Sequence, residues 1–98
     1  MNNEPIVESS SGNVFEDLGF PDAREMKIKS LIAMQIQRVI NKRNLTQVEA
    51  ATLMGIDQPK ISAILNGKFR GFTIDRMLRF LEALNVEVTL SFVDKEAS

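Results

Sequence analysis

Apolar positions recur along this chain in two rhythms. Between residues 23 and 43, Ile28, Leu31, Ile32, Ile36, Val39 and Ile40 fall at spacings of three and four, the period that lines one face of an α-helix. Gln35 is the polar exception in that stripe, and Asn44 supplies a stop. Thr46-Gln47-Val48-Glu49 follows. It has the form of a capping box, in which the hydroxyl accepts from the third backbone N–H and the carboxylate reaches back to the cap N–H. A second helix is therefore predicted from Gln47 to Met54, ended by Gly55, since glycine accepts the left-handed conformation without strain. Asp57 can cap a third helix. Pro59 falls in its first turn, where a missing N–H costs nothing. Ile61, Ile64 and Leu65 give that helix an apolar face, and Asn66-Gly67 ends it. Thr73 caps a fourth helix with Asp75 in its first turn, lined by Ile74, Met77, Leu78, Leu81 and Leu84, with Phe80 at the edge. After Asn85 the rhythm changes. Val86, Val88, Leu90 and Phe92 alternate with Glu87, Thr89 and Ser91, which predicts a half-buried strand.

The expected fold is all-α, a bundle of four to five helices followed by one C-terminal β-strand. Its expected core is Leu31, Ile32, Val39, Leu45, Ala51, Leu53, Ile56, Ile61, Ile64, Leu78, Leu81 and Leu84. Met34, Met54 and Met77 read as core or gap-filling residues. A lone strand leaves its backbone edge unpaired. Residues 86–98 are therefore read as a strand and tail that pair two copies into a homodimer through Val86, Val88, Leu90 and Phe92; the alternative is that the strand packs on its own helices and the fourth helix forms the dimer contact.

The N-terminal quarter has neither rhythm. Residues 1–13 are polar and read as a flexible tail. Residues 14–26 form an acidic and apolar leader. Val14, Phe15, Leu18 and Phe20 crowd into a span that Gly19 and Pro21 keep from being a long helix. Those side chains must dock, either on the chain's own bundle or on a partner.

Composition sharpens this picture. The 98 residues suit one domain, and 44% are hydrophobic. A net charge of −1 and a pI of about 5.4 argue by themselves against a nucleic-acid partner, but the charge is unevenly placed. Residues 1–26 carry six acidic groups and one basic, a net of −5, whereas residues 27–70 carry eight basic and two acidic, a net of +6. A basic centre behind an acidic leader fits a phosphate-binding domain. With no cysteine and no histidine, disulfides, zinc fingers and His- or Cys-dependent catalysis are excluded. No organised acid pair is visible, so an enzyme is not expected, and neither a cofactor nor a metal is implied. No apolar run is long enough to span a membrane, and no signal peptide is visible, which makes the cytoplasm the expected location.

The window QVEAATLMGIDQPKISAILN, residues 47–66, has the logic of a helix-turn-helix. Ala50 and Ala51 allow close approach, Gly55 makes the turn, and aliphatic residues anchor the second of the two helices. LTQVEAATLMGIDQPKISAILNGK, residues 45–68, resembles the phage-repressor-like (XRE) helix-turn-helix family, which implies a lambda-repressor-like bundle over residues 27–85. SSSGNVFEDLGFPDA (9–23), RGF (70–72) and the alternating C-terminal segment resemble a subgroup of HigA-like antitoxins encoded beside RelE-like toxins.

The resemblance implies a set of roles. The third helix enters the major groove of double-stranded DNA, at an operator expected to be palindromic. Gln47 touches a phosphate, and Gln58 is placed to bond adenine N6 and N7. Lys60, Ser62 and Ala63 face base edges or the groove wall, and Asn66, Lys68 and Arg70 hold the backbone. Pro59 departs from the family pattern and offers only apolar contact, for example to a thymine methyl. Lys42 and Arg43 read instead as a solvated helix end. The function implied is a repressor that doubles as the antitoxin of a RelE/HigB-like toxin. The alternatives are a stand-alone regulator or a protein-interaction module that does not bind DNA.

Overall fold

The computed structural model describes residues 23–96. Four helices follow in order, α1 (Ala23–Lys42), α2 (Gln47–Met54), α3 (Gln58–Leu65) and α4 (Ile74–Ala83). The long α1 packs mainly along α4 and also meets α3, while α2 lies against α3 and α4. Ile36, Ala50, Ile61, Ile64, Met77 and Leu84 are all but sealed from solvent where these helices meet. The expectations for residues 1–13 and for most of the leader lie outside the described residues.

The helix boundaries follow from local chemistry. Thr46 Oγ1 accepts from Glu49 N at 3.0 Å, and the Glu49 carboxylate accepts from Thr46 N at 2.8 Å. Both halves of the capping box therefore form. Asp57 and Thr73 cap α3 and α4 by accepting from Lys60 N and Arg76 N. All four helices end in one way, with a residue in the left-handed region: Asn44 (φ 54°), Gly55 (74°), Gly67 (79°) and Asn85 (65°). The residue after each of these donates back into the last turn. Leu45 reaches Ile40 O, Ile56 reaches Ala51 O, Lys68 reaches Ala63 O and Val86 reaches Leu81 O, at 2.8–3.0 Å. This motif satisfies carbonyls that a helix end otherwise leaves without partners.

The C-terminal strand is not formed: among the described residues there is no strand, and residues 86–92 run without regular structure. A strand is defined by its ladder, and the described residues offer residues 86–92 no second strand to bond. The alternation has a simpler cause at its start, because Val86 and Val88 pack against the chain's own core. Leu90 and Phe92 are exposed.

The core also differs from expectation in places. Leu31, Met34 and Leu53 are exposed, while Leu45, Ile56 and Leu78 are only partly buried against the core. The apolar stripe of α1 is wider than its neighbours can cover. Burial goes to Ile32, Ile36, Val39 and Ile40, and Leu31 lies round the helix from them. On the short α2, Ala50, Ala51 and Met54 face inward, which turns Leu53 outward. Two aromatics take up the volume instead. Phe69 and Phe72, in the connection from α3 to α4, are buried. Phe72 meets Phe80 edge to face with ring centroids 6.1 Å apart. The Arg76 guanidinium lies over both rings, at 5.1 and 5.4 Å, a cation–π contact that also shields the pair from water. Arg43 is not simply solvated as read from sequence. Its Nη1 donates to the Leu84 carbonyl and ties the end of α1 to the end of α4.

Candidate nucleic-acid interface

The turn from α2 to α3 spans Gly55 to Asp57 and sets two helix N-termini side by side. Each begins with a glutamine. Gln58 Nε2 approaches Gln47 Oε1 at 3.5 Å, across eleven residues of sequence. This contact brings the two amides together beside the start of α3, the end that carries the positive pole of the helix dipole. Gln58 is exposed and Gln47 half-buried, so Gln58 keeps its carbonyl oxygen and one amide hydrogen free for a ligand.

The remaining residues read from sequence fall into three groups. Pro59 and Lys60 are exposed in the first turn of α3, beside Gln58. Ser62 and Ala63 are half-buried on the flank of α3, while Ile61 and Ile64 anchor its other side in the core. Asn66 first of all serves the helix end. Its Nδ2 donates to the Ser62 carbonyl at 2.8 Å and lies 3.4 Å from Ser62 Oγ.

Lys68 and Arg70 stand beyond the end of α3, and both are exposed. What holds them outward was not apparent from the pattern. Exposed Lys68 and Arg70 alternate with buried Phe69 and Phe72, and Phe72 N donates to Phe69 O at 3.0 Å. Gly71 (φ 85°) makes the reversal. The two aromatics act as pegs under the loop and anchor the backbone that carries the two cations. The sequence signal was the RGF at 70–72, where an aromatic beside a glycine in a polar loop marks a docked turn.

Electrostatics agree with this layout. Among the described residues, Lys60, Lys68 and Arg70 have no ion-pair partner, and the two ion pairs present, Lys29–Glu25 and Arg79–Asp75, lie on α1 and α4. Three unpaired cations border the exposed start and end of α3, and no acidic side chain other than the capping Asp57 lies on α3 or its flanking turns. Such a surface can bind a polyanion, with amides placed to read hydrogen-bonding edges. No group of three acidic, cysteine or histidine side chains suited to a metal occurs among the described residues. No helix there is long and apolar enough to cross a membrane.

Comparison with known proteins gives two similarities. A family model described as a helix-turn-helix domain matches residues 14–92. A solved structure described as "Putative XRE Family Transcriptional Regulator" is 38% identical and superposes with a TM-score of 0.72, over 80% of this chain and 88% of that chain. No curated protein matches the sequence.

Proposed function

The chain belongs to the XRE-like helix-turn-helix family, and from that premise we propose that it is a sequence-specific DNA-binding repressor. The observation that carries this reading is the Gln58–Gln47 pair. It brings an exposed amide to the leading end of α3, with Lys60 in the same turn and Lys68 and Arg70 beyond the other end of the helix. In this reading α3 enters the major groove and Gln58 bonds an adenine edge. Lys60, Ser62 and Ala63 meet neighbouring bases or the groove wall, and Pro59 makes apolar contact only. Gln47, Asn66, Lys68 and Arg70 fix the register on phosphates.

We further propose that the protein acts as a homodimer on a palindromic operator. Leu90 and Phe92, at 78% and 91% exposure, are unusually bare for large apolar side chains. A second copy covering them, next to Val86 and Val88, removes that surface from water. A two-fold axis is then expected to set two recognition helices about 34 Å apart, one turn of B-DNA.

The finer role proposed is antitoxin to a basic RelE/HigB-like toxin in the cytoplasm. Its support is the resemblance of residues 9–23 and 70–72 and the −5 charge of residues 1–26. Co-expression with the neighbouring reading frame tests this. Rescue of growth and co-purification are expected, and a neighbour that is harmless alone contradicts the role.

DNA binding is tested by fluorescence anisotropy on duplex from the gene's own promoter. Binding that exceeds a scrambled duplex and weakens with Gln58→Ala supports the reading; equal affinity for both duplexes contradicts it.

A further inference from the structure

The outward face of α1 differs from the rest of the surface. Lys27, Leu31, Met34 and Arg38 follow at spacings of four, three and four residues and so form one continuous ridge. They lie away from the buried stripe of Ile32, Ile36, Val39 and Ile40. Leu31 is 56% exposed and Met34 is 54% exposed. Arg24 and Lys42 extend the ridge at its two ends. None of the four cations has an ion-pair partner among the described residues. The single acidic residue of α1, Glu25, is turned the other way, with its carboxylate 2.7 Å from the ammonium of buried Lys29. Beside Met34 the surface opens into a cleft of about 270 Å³ between α1 and the end of α3, lined by Ala33, Met34, Leu65 and Phe69 among others. The ridge contains none of the residues assigned to DNA.

We propose that this ridge and its cleft dock an acidic segment of a partner protein that is apolar at its centre. Its carboxylates meet Lys27 and Arg38, and a large apolar side chain covers Leu31 and enters the cleft beside Met34. Two physical arguments set aside a second copy and a nucleic acid. A two-fold contact sets a face against itself, which here brings Arg24, Lys27, Arg38 and Lys42 against the same four cations. A phosphate backbone satisfies the cations but leaves Leu31 and Met34 bare. Only a ligand with both acidic and apolar groups complements the whole ridge. The inference is independent of the DNA reading, and its test keeps the two apart.

The test is fluorescence anisotropy of the full-length protein with a fluorescein-labelled designed peptide that has glutamates at both ends and a Leu-Phe pair at its centre. The double variants Leu31→Ser/Met34→Ser and Lys27→Glu/Arg38→Glu are each expected to weaken binding by about tenfold or more. The charge-reversed variant is expected to prefer the same peptide with lysines in place of glutamates. Because Leu31 and Met34 are exposed, their serine variant should melt and bind promoter DNA as the parent does. Peptide affinity unchanged in both double variants overturns the proposal. So does loss of self-association in Leu31→Ser/Met34→Ser, which assigns the ridge to a second copy. Loss of promoter binding in that variant assigns the ridge to DNA. A rise in peptide affinity of about tenfold on Glu16→Lys/Asp17→Lys assigns it to the chain's own acidic segment, and either result overturns the proposal.

Discussion

At the scale of single residues, the interface rests on side chains whose positions are set by something other than themselves. Gln58 lies against Gln47 at the start of α3. Lys68 and Arg70 are held up by the buried rings of Phe69 and Phe72. These two arrangements separate reading from holding. Lys68→Ala is expected to weaken binding to all duplexes alike and to flatten the salt dependence by about one phosphate contact; anisotropy titrations at several salt concentrations measure both. Phe72→Ala acts indirectly. It removes a ring in contact with Phe80 and Arg76 and should cost about 3–5 kcal/mol of stability, the usual range for a buried phenylalanine. Thermal unfolding followed by circular dichroism is the check, and an unchanged melting temperature contradicts the peg assignment.

At the scale of elements, the four helices are defined by their ends. Thr46→Ala removes one half of the capping box of α2 and should destabilise the fold by about 0.5–2 kcal/mol. Gly55→Ala meets no steric neighbour, since a Cβ there has open space, but φ is +74°. It should therefore cost about 1–2 kcal/mol through backbone strain alone. Urea unfolding distinguishes these values from zero. Because every cap and every left-handed stop is a short-range event, the boundaries of α1 to α4 were legible in the residues themselves. So was the placement of Gln58, Lys60, Lys68 and Arg70 at the two ends of α3, where all four are exposed. What was not legible depends on partners distant in sequence. Leu31 and Leu53 have the spacing of core residues, yet no neighbouring helix reaches over them. Phe69 and Phe72 have no periodicity at all, and only the packing of the α3–α4 connection buries them. The alternation from Val86 to Phe92 has the period of a strand, but pairing requires a second strand, and none occurs among the described residues. Its first two apolar residues rest on the core instead.

At the scale of the whole molecule, the charge is divided among regions with separate duties. The cations of α3 and its flanks, Lys60, Lys68 and Arg70, are those proposed to meet DNA, and the outward side of α1 presents its own cations around an apolar centre. The bare Leu90 and Phe92 are assigned to self-association. Leu90→Ser/Phe92→Ser is therefore expected to shift sedimentation from dimer to monomer and to weaken operator binding, with the fold intact because neither side chain is buried. A variant that stays dimeric moves the dimer contact elsewhere. The central claim is narrower, that an exposed amide at the start of α3 reads DNA sequence. The most direct measurement is a pair of anisotropy titrations, parent and Gln58→Ala, on promoter duplex and on a scrambled duplex at the same salt concentration. The account predicts that the substitution weakens promoter binding by about 1–3 kcal/mol, roughly 5- to 150-fold, and leaves the scrambled duplex unaffected. Equal losses on the two duplexes, or no loss on the promoter, contradict it.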